Sequence, residues 1–195
     1  MNQEMDDQID KNSALTENVQ KLLDKDAIKE LVYEWDYLTD DRVDSDKVID
    51  TFCTDDVLFD AGPLGRTEGK EAFKEAAREI WDKQLFFTRH MRHNPIIKVN
   101  GDKATGKWYA DIPSITGDGK AVWIQGTYEL GFRQINGNWK ISKYTFEFSN
   151  MTDYVKGWVK EPFIEGDAQG SKIRRGFSTQ HSAIHSFQSG LQDSG

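Results

Sequence analysis

The sequence predicts an α+β fold, and three observations support this prediction. In the first part of the chain, apolar residues recur every three or four positions, which is typical of amphipathic helices. From residue 87 onward the period changes to two, and it is kept over four long segments. Turn sequences rich in Asn, Asp and Gly, at 100–102, 117–119 and 136–138, separate these segments. Helices followed by a meander of long strands indicate a curved antiparallel sheet packed against helices.

The helical part contains three predicted helices and one short strand. The first helix lies in KDAIKELVYEWDYLTDD, where the apolar side chains share one face. These side chains are Ile28, Leu31, Val32, Trp35 and Leu38. DKVIDTFC predicts a short second helix, DDVLFDAG a short strand, and KEAFKEAAREIWDKQ a third helix. GPLGRTEG, before the third helix, lacks the Lys-Ser/Thr ending of a phosphate-binding loop, and we interpret it as a tight turn.

The four strand segments are TRHMRHNPIIKV, KATGKWYADIPSI, AVWIQGTYELGFRQI and NWKISKYTFEFSN. In the first segment, strand alternation separates two sets of side chains. One face receives Thr88, His90, Arg92, Asn94 and Ile96, and the other receives Arg89, Met91, His93, Ile97 and Val99. The two histidines of this strand therefore have different roles. We interpret His93, which shares its face with Met91 and Ile97, as structural.

Length and composition predict one domain with polar ends. The chain has 195 residues, of which 37% are hydrophobic and 12% aromatic, enough for a real core. Residues 1–20 are polar and predict a loose lead-in. Residues 21–158 carry the helix and strand patterns and predict the folded domain. Residues 159–195 are rich in Gly, Ser and Gln and predict a polar tail.

Charge and cysteine content limit the class of protein. The formal net charge of −8 disfavours nucleic acid and anionic membrane surfaces as partners. Cys53 is the only cysteine, so no disulfide within the chain is expected. The acidic start MNQEMDDQID does not resemble a signal peptide, and no apolar run has the length of a membrane span. We therefore expect a cytoplasmic protein.

The order of these segments resembles the SnoaL-like branch of the NTF2-like superfamily. The resemblance depends on AIKELVYEWDYLTDD, FCTDDVLFDAG, TRHMRHNPIIKVNGDKATGKWY and VWIQGTYELGFRQINGNWKIS, and it covers roughly residues 20–158. It implies a cone, in which a strongly bent sheet wraps around the helices and encloses a pocket. Members include dehydratases, dehydrochlorinases, isomerases, cyclases, lyases and binding subunits, so fold alone does not define function.

Within this branch the chain is most similar to the bile-acid dehydratase and hexachlorocyclohexane dehydrochlorinase type. Those enzymes use a His–Asp pair without a metal or organic cofactor, and the resemblance assigns this pair to His90 and Asp40. Dehydratases of this type usually carry a tyrosine where this chain has Trp35. Because indole has no acidic O–H, we expect Tyr33 or Tyr37 to supply a proton instead.

The orientation of Asp40 depends on where the first helix ends. At 100° per residue Asp40 points away from the apolar stripe, whereas Asp36 lies nearer to its edge. Asp40 reaches His90 if the helix ends near Leu38 or Thr39 and the chain then turns inward. Asp36 is the alternative carboxylate.

The remaining predicted site residues concern substrate binding. Aromatic side chains line the expected pocket and predict a large, flat or aromatic ligand. Those assigned to substrate binding are Trp35, Phe59, Tyr109, Tyr128 and Phe148. Arg92 is a further candidate that either holds an anionic group or pairs with an acidic neighbour at the surface. His181 and His185 have a spacing of four residues, but no carboxylate motif accompanies them, and no metal site is predicted.

The resemblance implies a cofactor-independent lyase that uses His–Asp acid/base catalysis. The expected reaction is dehydration of a hydrophobic hydroxylated ring compound, either steroid-like or a lignin-derived aromatic molecule, as in the catabolism of aromatic compounds. Three alternatives remain open: a retro-aldol carbon–carbon lyase that releases a small aldehyde, an isomerase or cyclase, and a non-catalytic subunit like the small subunit of ring-hydroxylating dioxygenases. Such cones usually associate with further copies, which implies a homodimer or homotrimer.

Overall fold

Helices and strands follow the predicted order in the computed structural model, which describes residues 2–161. The helices are α1 (Asn2–Asp40), α2 (Ser45–Phe52), α3 (Lys70–Glu79) and α4 (Gly157–Lys160). The strands are β1 (Cys53–Asp60), β2 (Arg66–Glu68), β3 (Leu85–Thr88), β4 (Met91–Asn100), β5 (Lys103–Thr116), β6 (Ala121–Ile135) and β7 (Asn138–Asp153). A 3-10 turn at Gly62–Leu64 precedes β2, and a π-helical turn at Ile80–Gln84 follows α3.

The seven strands form one sheet in the order β2-β1-β7-β6-β5-β3, and β4 also pairs with β5. Strands β5, β6 and β7 are the predicted antiparallel meander. Strand β1 adds to β7 in parallel orientation, a pairing that the sequence did not predict. Strand β5 is long enough to hold both β3 and β4 along one edge. The corner between β3 and β4 therefore lies at the rim of the sheet, next to the end of α1.

The core lies between the helices and the inner face of the sheet. The even-numbered residues from Ala104 to Ser114 on β5 and from Val122 to Phe132 on β6 point inward and are buried, which is the alternation expected when one face of a sheet is covered. From α1 the predicted stripe contributes Ile28, Val32 and Trp35, which are fully buried. Trp35 packs against Phe52, and it also stacks against Phe73. This packing attaches the second half of α1 to α2 and α3, and the contact of Trp35 with Tyr144 attaches it to β7.

The segment predicted as one strand, TRHMRHNPIIKV, is divided at Arg89 and His90. Strand β3 pairs with the end of β5, and β4 pairs with its beginning and middle. The predicted common face holds for the first three positions, because Thr88, His90 and Arg92 all bond to carboxylates of α1. One edge strand broken in the middle thus directs three polar side chains to one helix.

Beyond Arg92 the predicted alternation is wrong. Asn94 has a φ of 52°, and the register of β4 shifts between His93 and Ile96. A bulge of this kind adds one residue to a strand and reverses which face the following side chains occupy. As a result Ile97 packs against the core, whereas Ile96 points outward.

The predicted loose lead-in is also corrected by the structure. Residues 2–20 belong to α1, a continuous helix of 39 residues. The second half of this helix packs on the sheet, whereas residues 8–20 are exposed. Most of the predicted tail, including His181 and His185, lies outside the described residues. Within residues 2–161 no helix is both long enough and apolar enough to cross a membrane.

Candidate active site

The end of α1 is fixed by a Schellman motif. The N–H of Val43 donates to the carbonyl of Leu38 at 3.0 Å, and the N–H of Arg42 donates to that of Thr39 at 3.2 Å. Arg42 itself has a φ of 60°, the left-handed conformation that this motif requires. Asp40 is therefore the last helical residue, and its carboxylate lies at the end of the buried side of α1.

The side chain of Arg42 connects this helix end to the sheet rim. Its guanidinium donates to the backbone carbonyls of Trp81 and Leu85, at the two ends of the segment that leads into β3. This connection places β3 and the corner after it against Asp40. This role of Arg42 is not predictable from the sequence, because a left-handed non-glycine residue leaves no reliable pattern in a sequence.

Asp40 and His90 form the centre of the site. Nδ1 of His90 lies 2.6 Å from Oδ1 of Asp40, and the backbone N–H of His90 donates to Oδ2 at 2.7 Å. The hydroxyl of Thr88 donates to Oδ1 at 3.0 Å. The side chains of Asp40 and His90 are only 3% and 10% exposed. Three hydrogen bonds to one carboxylate, two of them from His90, hold the imidazole in a fixed orientation.

These hydrogen bonds determine the protonation state of the carboxyl group. Desolvation alone raises the pKa of Asp40, but the side-chain and backbone hydrogen bonds of His90 and the hydroxyl of Thr88 together hold the pKa below its ordinary value. Asp40 is therefore an anion at neutral pH. An anionic acceptor at Nδ1 selects the imidazole tautomer with hydrogen on Nδ1, which leaves Nε2 free to accept a proton.

A second carboxylate lies one turn earlier on α1 and pairs with Arg92 instead of His90. The Nε and Nη2 atoms of Arg92 each lie 2.7 Å from an oxygen of Asp36, in a bidentate pair. Nη2 also donates to the hydroxyl of Tyr144 at 3.1 Å, and the guanidinium lies 3.7 Å from the ring centre of Tyr128. The alternative assignment of Asp36 as the partner of His90 is thus wrong. The surface pairing expected for Arg92 is also wrong, since its side chain is 1% exposed.

Burial shifts the pKa values of the groups around this pair. Desolvation raises the pKa of Asp36, an effect that the positive charge of Arg92 opposes. Desolvation likewise raises the pKa of Tyr128 and of Tyr144 above the ordinary phenol value. Both phenols therefore keep their protons at neutral pH. Because Arg92 donates to the oxygen of Tyr144, the hydroxyl hydrogen of Tyr144 is available to another acceptor.

His90 and the two tyrosines line one small, mostly apolar cavity of about 50 Å³. Thr88 is its other polar lining residue at the His90 end. The apolar lining residues are Phe59, Ala61, Leu64, Ile80, Trp81, Leu85, Ile112, Ile124, Phe146 and Phe148. An imidazole and two phenol groups thus meet in a cavity whose other walls are mostly apolar. Other hollows on the described surface, including larger ones, are not lined by His90.

The structure brings together only part of the predicted site. Phe59, Tyr128 and Phe148 line the cavity as predicted. Trp35 does not line it but packs behind it, with its ring centre 5.5 Å from that of Tyr144. Tyr109 lies on the outer face of the sheet and is 60% exposed. Its assignment to substrate binding is therefore corrected.

The predicted proton donors on α1 are also corrected. Tyr33 and Tyr37 are exposed, Tyr37 to 67%, because they lie on the side of α1 that faces solvent. Neither lines the cavity that contains His90. Tyr144, on β7, is the phenol group that the sequence analysis missed. Its inward position on β7 depends on the register of that strand, which the sequence alone does not define.

The described residues contain no ready metal site. Within residues 2–161 no three His, Cys, Asp or Glu side chains lie close enough together to hold a metal ion. His93 lies on the outer face of the sheet, where its Nε2 is 3.3 Å from Oδ2 of Asp111. About half of its side chain is exposed. The polar side chains that line the cavity are those of Thr88, His90, Tyr128 and Tyr144.

Comparison with known families identifies the type of domain. A family model described as a SnoaL-like domain matches residues 20–145, well over half of the chain. The chain belongs to the SnoaL-like domain family. A comparison with curated protein sequences finds no significant match.

Solved structures with the same fold include two proteins of Novosphingobium aromaticivorans. A proposed scytalone dehydratase is 19% identical, with a TM-score of 0.61, over 68% of this chain and 89% of that one. A proposed aromatic ring hydroxylase is 25% identical, also with a TM-score of 0.61, over 69% of this chain and 96% of that one. A hexachlorocyclohexane dehydrochlorinase of Novosphingobium barchaimii is 20% identical, with a TM-score of 0.60, over 68% and 90%. These likenesses confirm the predicted NTF2-like cone for this SnoaL-like domain.

Proposed function

We propose that this SnoaL-like domain is a lyase that eliminates water from a hydrophobic, hydroxylated ring compound by His–Asp acid/base catalysis. The observation that carries the proposal is the 2.6 Å contact between His90 Nδ1 and the buried carboxylate of Asp40, at the wall of an apolar cavity. The names of two structural neighbours, a dehydratase and a dehydrochlorinase, both describe eliminations and support the same reaction class.

In this proposal His90 is the general base. Nε2 takes a proton from a C–H bond next to the carbon that bears the hydroxyl group. Asp40 accepts the Nδ1 hydrogen bond and stabilises the imidazolium cation that forms. A positioned base of this kind typically contributes about 100- to 10,000-fold in rate.

The elimination balances without a further reactant. The electron pair of the broken C–H bond becomes the new carbon–carbon double bond, and the C–O bond breaks. The departing hydroxyl group receives the proton held by His90 and leaves as water, which returns the imidazole to its neutral form. Tyr144, whose hydrogen is left available by Arg92, donates a hydrogen bond to a substrate oxygen that gains charge.

The size and polarity of the cavity favour a small substrate. A cavity of about 50 Å³ is smaller than the roughly 300–1,000 Å³ of ordinary ligand pockets, so a single ring requires less widening of the cavity than the four fused rings of a steroid. Of the two substrate classes that the sequence suggested, a lignin-derived single-ring compound therefore fits better. Its ring would contact the aromatic walls, and its oxygen atoms would face Tyr144 and His90.

The test is a substrate screen combined with matched variants. Single-ring hydroxylated compounds are incubated with the protein, and the products are followed by mass spectrometry for a loss of 18 Da, the mass of water. Once the screen has identified a substrate, we expect His90→Ala and Asp40→Asn to lower kcat/KM by at least about 100-fold. His93→Ala and Asp41→Asn are the controls, since both positions face solvent, and we expect each to keep activity.

Other results would contradict the proposal in distinct ways. Release of a small aldehyde without loss of water would favour carbon–carbon cleavage, and a product of unchanged mass would favour isomerisation. Activity that survives in His90→Ala would exclude this imidazole as the base. If no compound were turned over and His90→Ala had no effect on any property, the non-catalytic subunit would be favoured.

A further inference from the structure

Trp81 lines two different hollows of the protein. One is the cavity of about 50 Å³ that contains His90, which we call the His90 cavity. The other is a hollow of about 180 Å³ beside the end of α1, which we call the α1-end hollow. Its other lining residues are Thr39, Arg42, Val43, Asp44, Ser45, Asp46 and Arg78. Among the described residues Trp81 is the one that lines both hollows, so its half-buried indole is the partition between them.

The two hollows differ in polarity. The His90 cavity has mostly apolar walls. The α1-end hollow carries the hydroxyl groups of Thr39 and Ser45 and the ion pair between Arg78 and Asp46, in which Nε lies 3.0 Å from Oδ1. A hydroxylated ring compound presents both kinds of surface, an apolar ring and polar substituents. The two hollows together therefore match such a compound better than the His90 cavity alone.

The His90 cavity has to widen before it can bind a ring compound, because ordinary ligand pockets measure roughly 300–1,000 Å³. Its sheet wall is poorly suited to this movement. Ile112 on β5 and Ile124 on β6 are cross-strand partners, and Phe146 on β7 is the partner of Tyr128. Moving these residues apart would break the ladder of the central strands. We therefore expect the widening in a wall outside the sheet, and the wall at Trp81 has the α1-end hollow behind it.

The backbone that carries Trp81 forms a π-helical turn, Ile80–Gln84. Turns of this type are rare and occur frequently at functional sites. Arg42 holds the turn from outside, since its guanidinium donates to the carbonyls of Trp81 and Leu85. The N–H of Gly117 also donates to the last carbonyl of the turn, at 2.9 Å. Side-chain bonds from one arginine thus fix the part of the turn that faces α1.

The indole of Trp81 is held by edge-on aromatic contacts. Its ring centre lies 5.9 Å from that of Trp35 and 6.1 Å from that of Phe73, with angles of 79° and 71° between the ring planes. Each such contact contributes only about 0.5–1.5 kcal/mol beyond the area that it buries. Displacement of the indole therefore breaks two modest contacts and leaves the strand pairing intact.

We propose that Trp81 is a specificity-determining residue, a movable partition that sets the size of the compound able to reach His90. When the indole moves, the His90 cavity and the α1-end hollow become one pocket. The ring of the compound then lies against the apolar walls at His90, and a polar substituent lies in the α1-end hollow. That this compound is a substrate rests on the function proposed above, whereas the movement of the partition does not.

Labelling of a thiol placed in the cavity tests the movement without any substrate. Ile124→Cys introduces this thiol in the sheet wall, at a position that is 3% exposed. Methyl methanethiosulfonate, a small reagent, modifies it only when the cavity opens. Cys53 is buried elsewhere in the core and reports global unfolding in the same sample. Mass spectrometry of peptides distinguishes the two thiols.

Two variants in the Ile124→Cys background weaken the partition in different ways. Trp81→Ala removes the indole, and we expect it to raise the labelling rate at position 124 by at least about 10-fold. Arg42→Lys keeps the indole and the charge but loses the fork that binds two carbonyls, so the rate should rise by about fivefold. Trp158→Ala and Arg66→Lys are the matched controls, since both residues are exposed and lie outside the two hollows. Neither control should change the rate.

The size preference of the enzyme tests specificity once a substrate is known. We expect Trp81→Ala to raise kcat/KM for a two-ring hydroxylated compound relative to its one-ring analogue by at least about 10-fold. Trp81→Phe, which restores an aromatic ring, should return most of the preference for one ring. A purely structural role of Trp81 would lower kcat/KM for both compounds alike.

Three results would overturn the proposal. Equal labelling rates in Trp81→Ala and Trp158→Ala would show that the cavity is entered elsewhere. Labelling of position 124 and Cys53 at the same rate would show that global unfolding exposes both thiols. A size preference unchanged in Trp81→Ala would exclude this residue as its determinant. The labelling results stand even if His90 is not a catalytic base, so failure of the proposed function is distinguished from failure of the partition.

Discussion

At the residue scale, the two carboxylates of α1 show how position decides chemistry. Asp36 and Asp40 are four residues apart and both lie on the flank of the buried stripe. Asp36 meets a guanidinium, which remains charged at any relevant pH, so this pair is structural. Asp40 meets an imidazole, a group that can both accept and donate a proton. One turn of helix thus separates a fixed ion pair from a group able to transfer protons.

The Asp40 hydrogen bonds predict a specific dependence of stability on pH. Because the folded state holds the pKa of Asp40 below its ordinary value of 3.8, ionised Asp40 stabilises the fold above that pH. This contribution is lost as the pH falls through the lowered pKa. We expect Asp40→Asn to reduce the free energy of unfolding by about 1–3 kcal/mol at pH 7. The difference from the unmodified protein should shrink below about pH 4.

Urea unfolding at a series of pH values measures this difference. Asp41→Asn, at the exposed neighbouring position, is the control and should follow the unmodified protein throughout. A stability difference that stayed constant down to pH 2, or that appeared only above pH 5, would show that Asp40 is not held as an anion by these bonds.

At the element scale, the helix end and the sheet rim are joined by Arg42. Its backbone closes the Schellman motif in the left-handed conformation, and its side chain bonds to the carbonyls of Trp81 and Leu85. The same residue therefore ends α1 and brings β3 to it. The carboxylate of Asp40 and the imidazole of His90 are 50 residues apart in the sequence, and this connection brings together the two elements that carry them.

Two substitutions of Arg42 separate its backbone and side-chain roles. Arg42→Ala loses the bonds to both carbonyls and keeps the unfavourable left-handed conformation, so we expect a loss of about 2–4 kcal/mol in the free energy of unfolding. Arg42→Gly loses the same bonds but relieves the conformational cost, so it should be more stable than Arg42→Ala by about 1 kcal/mol. Thermal unfolding measures both. Arg66→Ala, which removes only exposed ion pairs, is the control.

The elements that sequence predicted well are those in which pattern and environment agree. The stripe from Ile28 to Trp35 and the alternation of β5 and β6 are simple consequences of one buried face. The errors occur where a tertiary contact overrides the pattern. Asn94 and Arg42 have positive φ without being glycine, and such positions depend on contacts that a single sequence does not show. The prediction of a loose lead-in was wrong for a different reason. The polar residues 2–20 extend a helix whose second half is packed, and extending an existing helix costs less than starting one.

The candidate site shows the same division between predictable and unpredictable residues. His90 and Asp40 were identified from the family resemblance, and the structure brings their side chains into contact. Tyr33 and Tyr37 were assigned from their position on α1, but helix geometry turns them to solvent. Tyr144 depends on the register of β7, which the bulges of the sheet determine. Whether a side chain such as that of Tyr144 points inward depends on the register of its strand, and the register is known only from the structure.

At the scale of the whole molecule, the single cysteine provides a measure of global unfolding. Cys53 begins β1 in the core, and desolvation raises the pKa of its thiol to about 12. The thiolate that reacts with disulfide reagents is therefore almost absent in the folded protein. We expect no labelling at pH 8 under native conditions and complete labelling in denaturant. Absorbance with an aromatic disulfide reagent measures this, and rapid native labelling would show that the strand opens locally.

The imidazole tautomer of His90 tests the central claim most directly, and it needs no substrate. Nitrogen NMR distinguishes the two tautomers of each of the four histidines. We predict that the neutral ring of His90 carries its hydrogen on Nδ1, with Nε2 unprotonated. Asp40→Asn should alter this signal, and His93→Ala should leave it unchanged. A His90 ring with its hydrogen on Nε2, unaffected by Asp40→Asn, would contradict the proposed role of the pair.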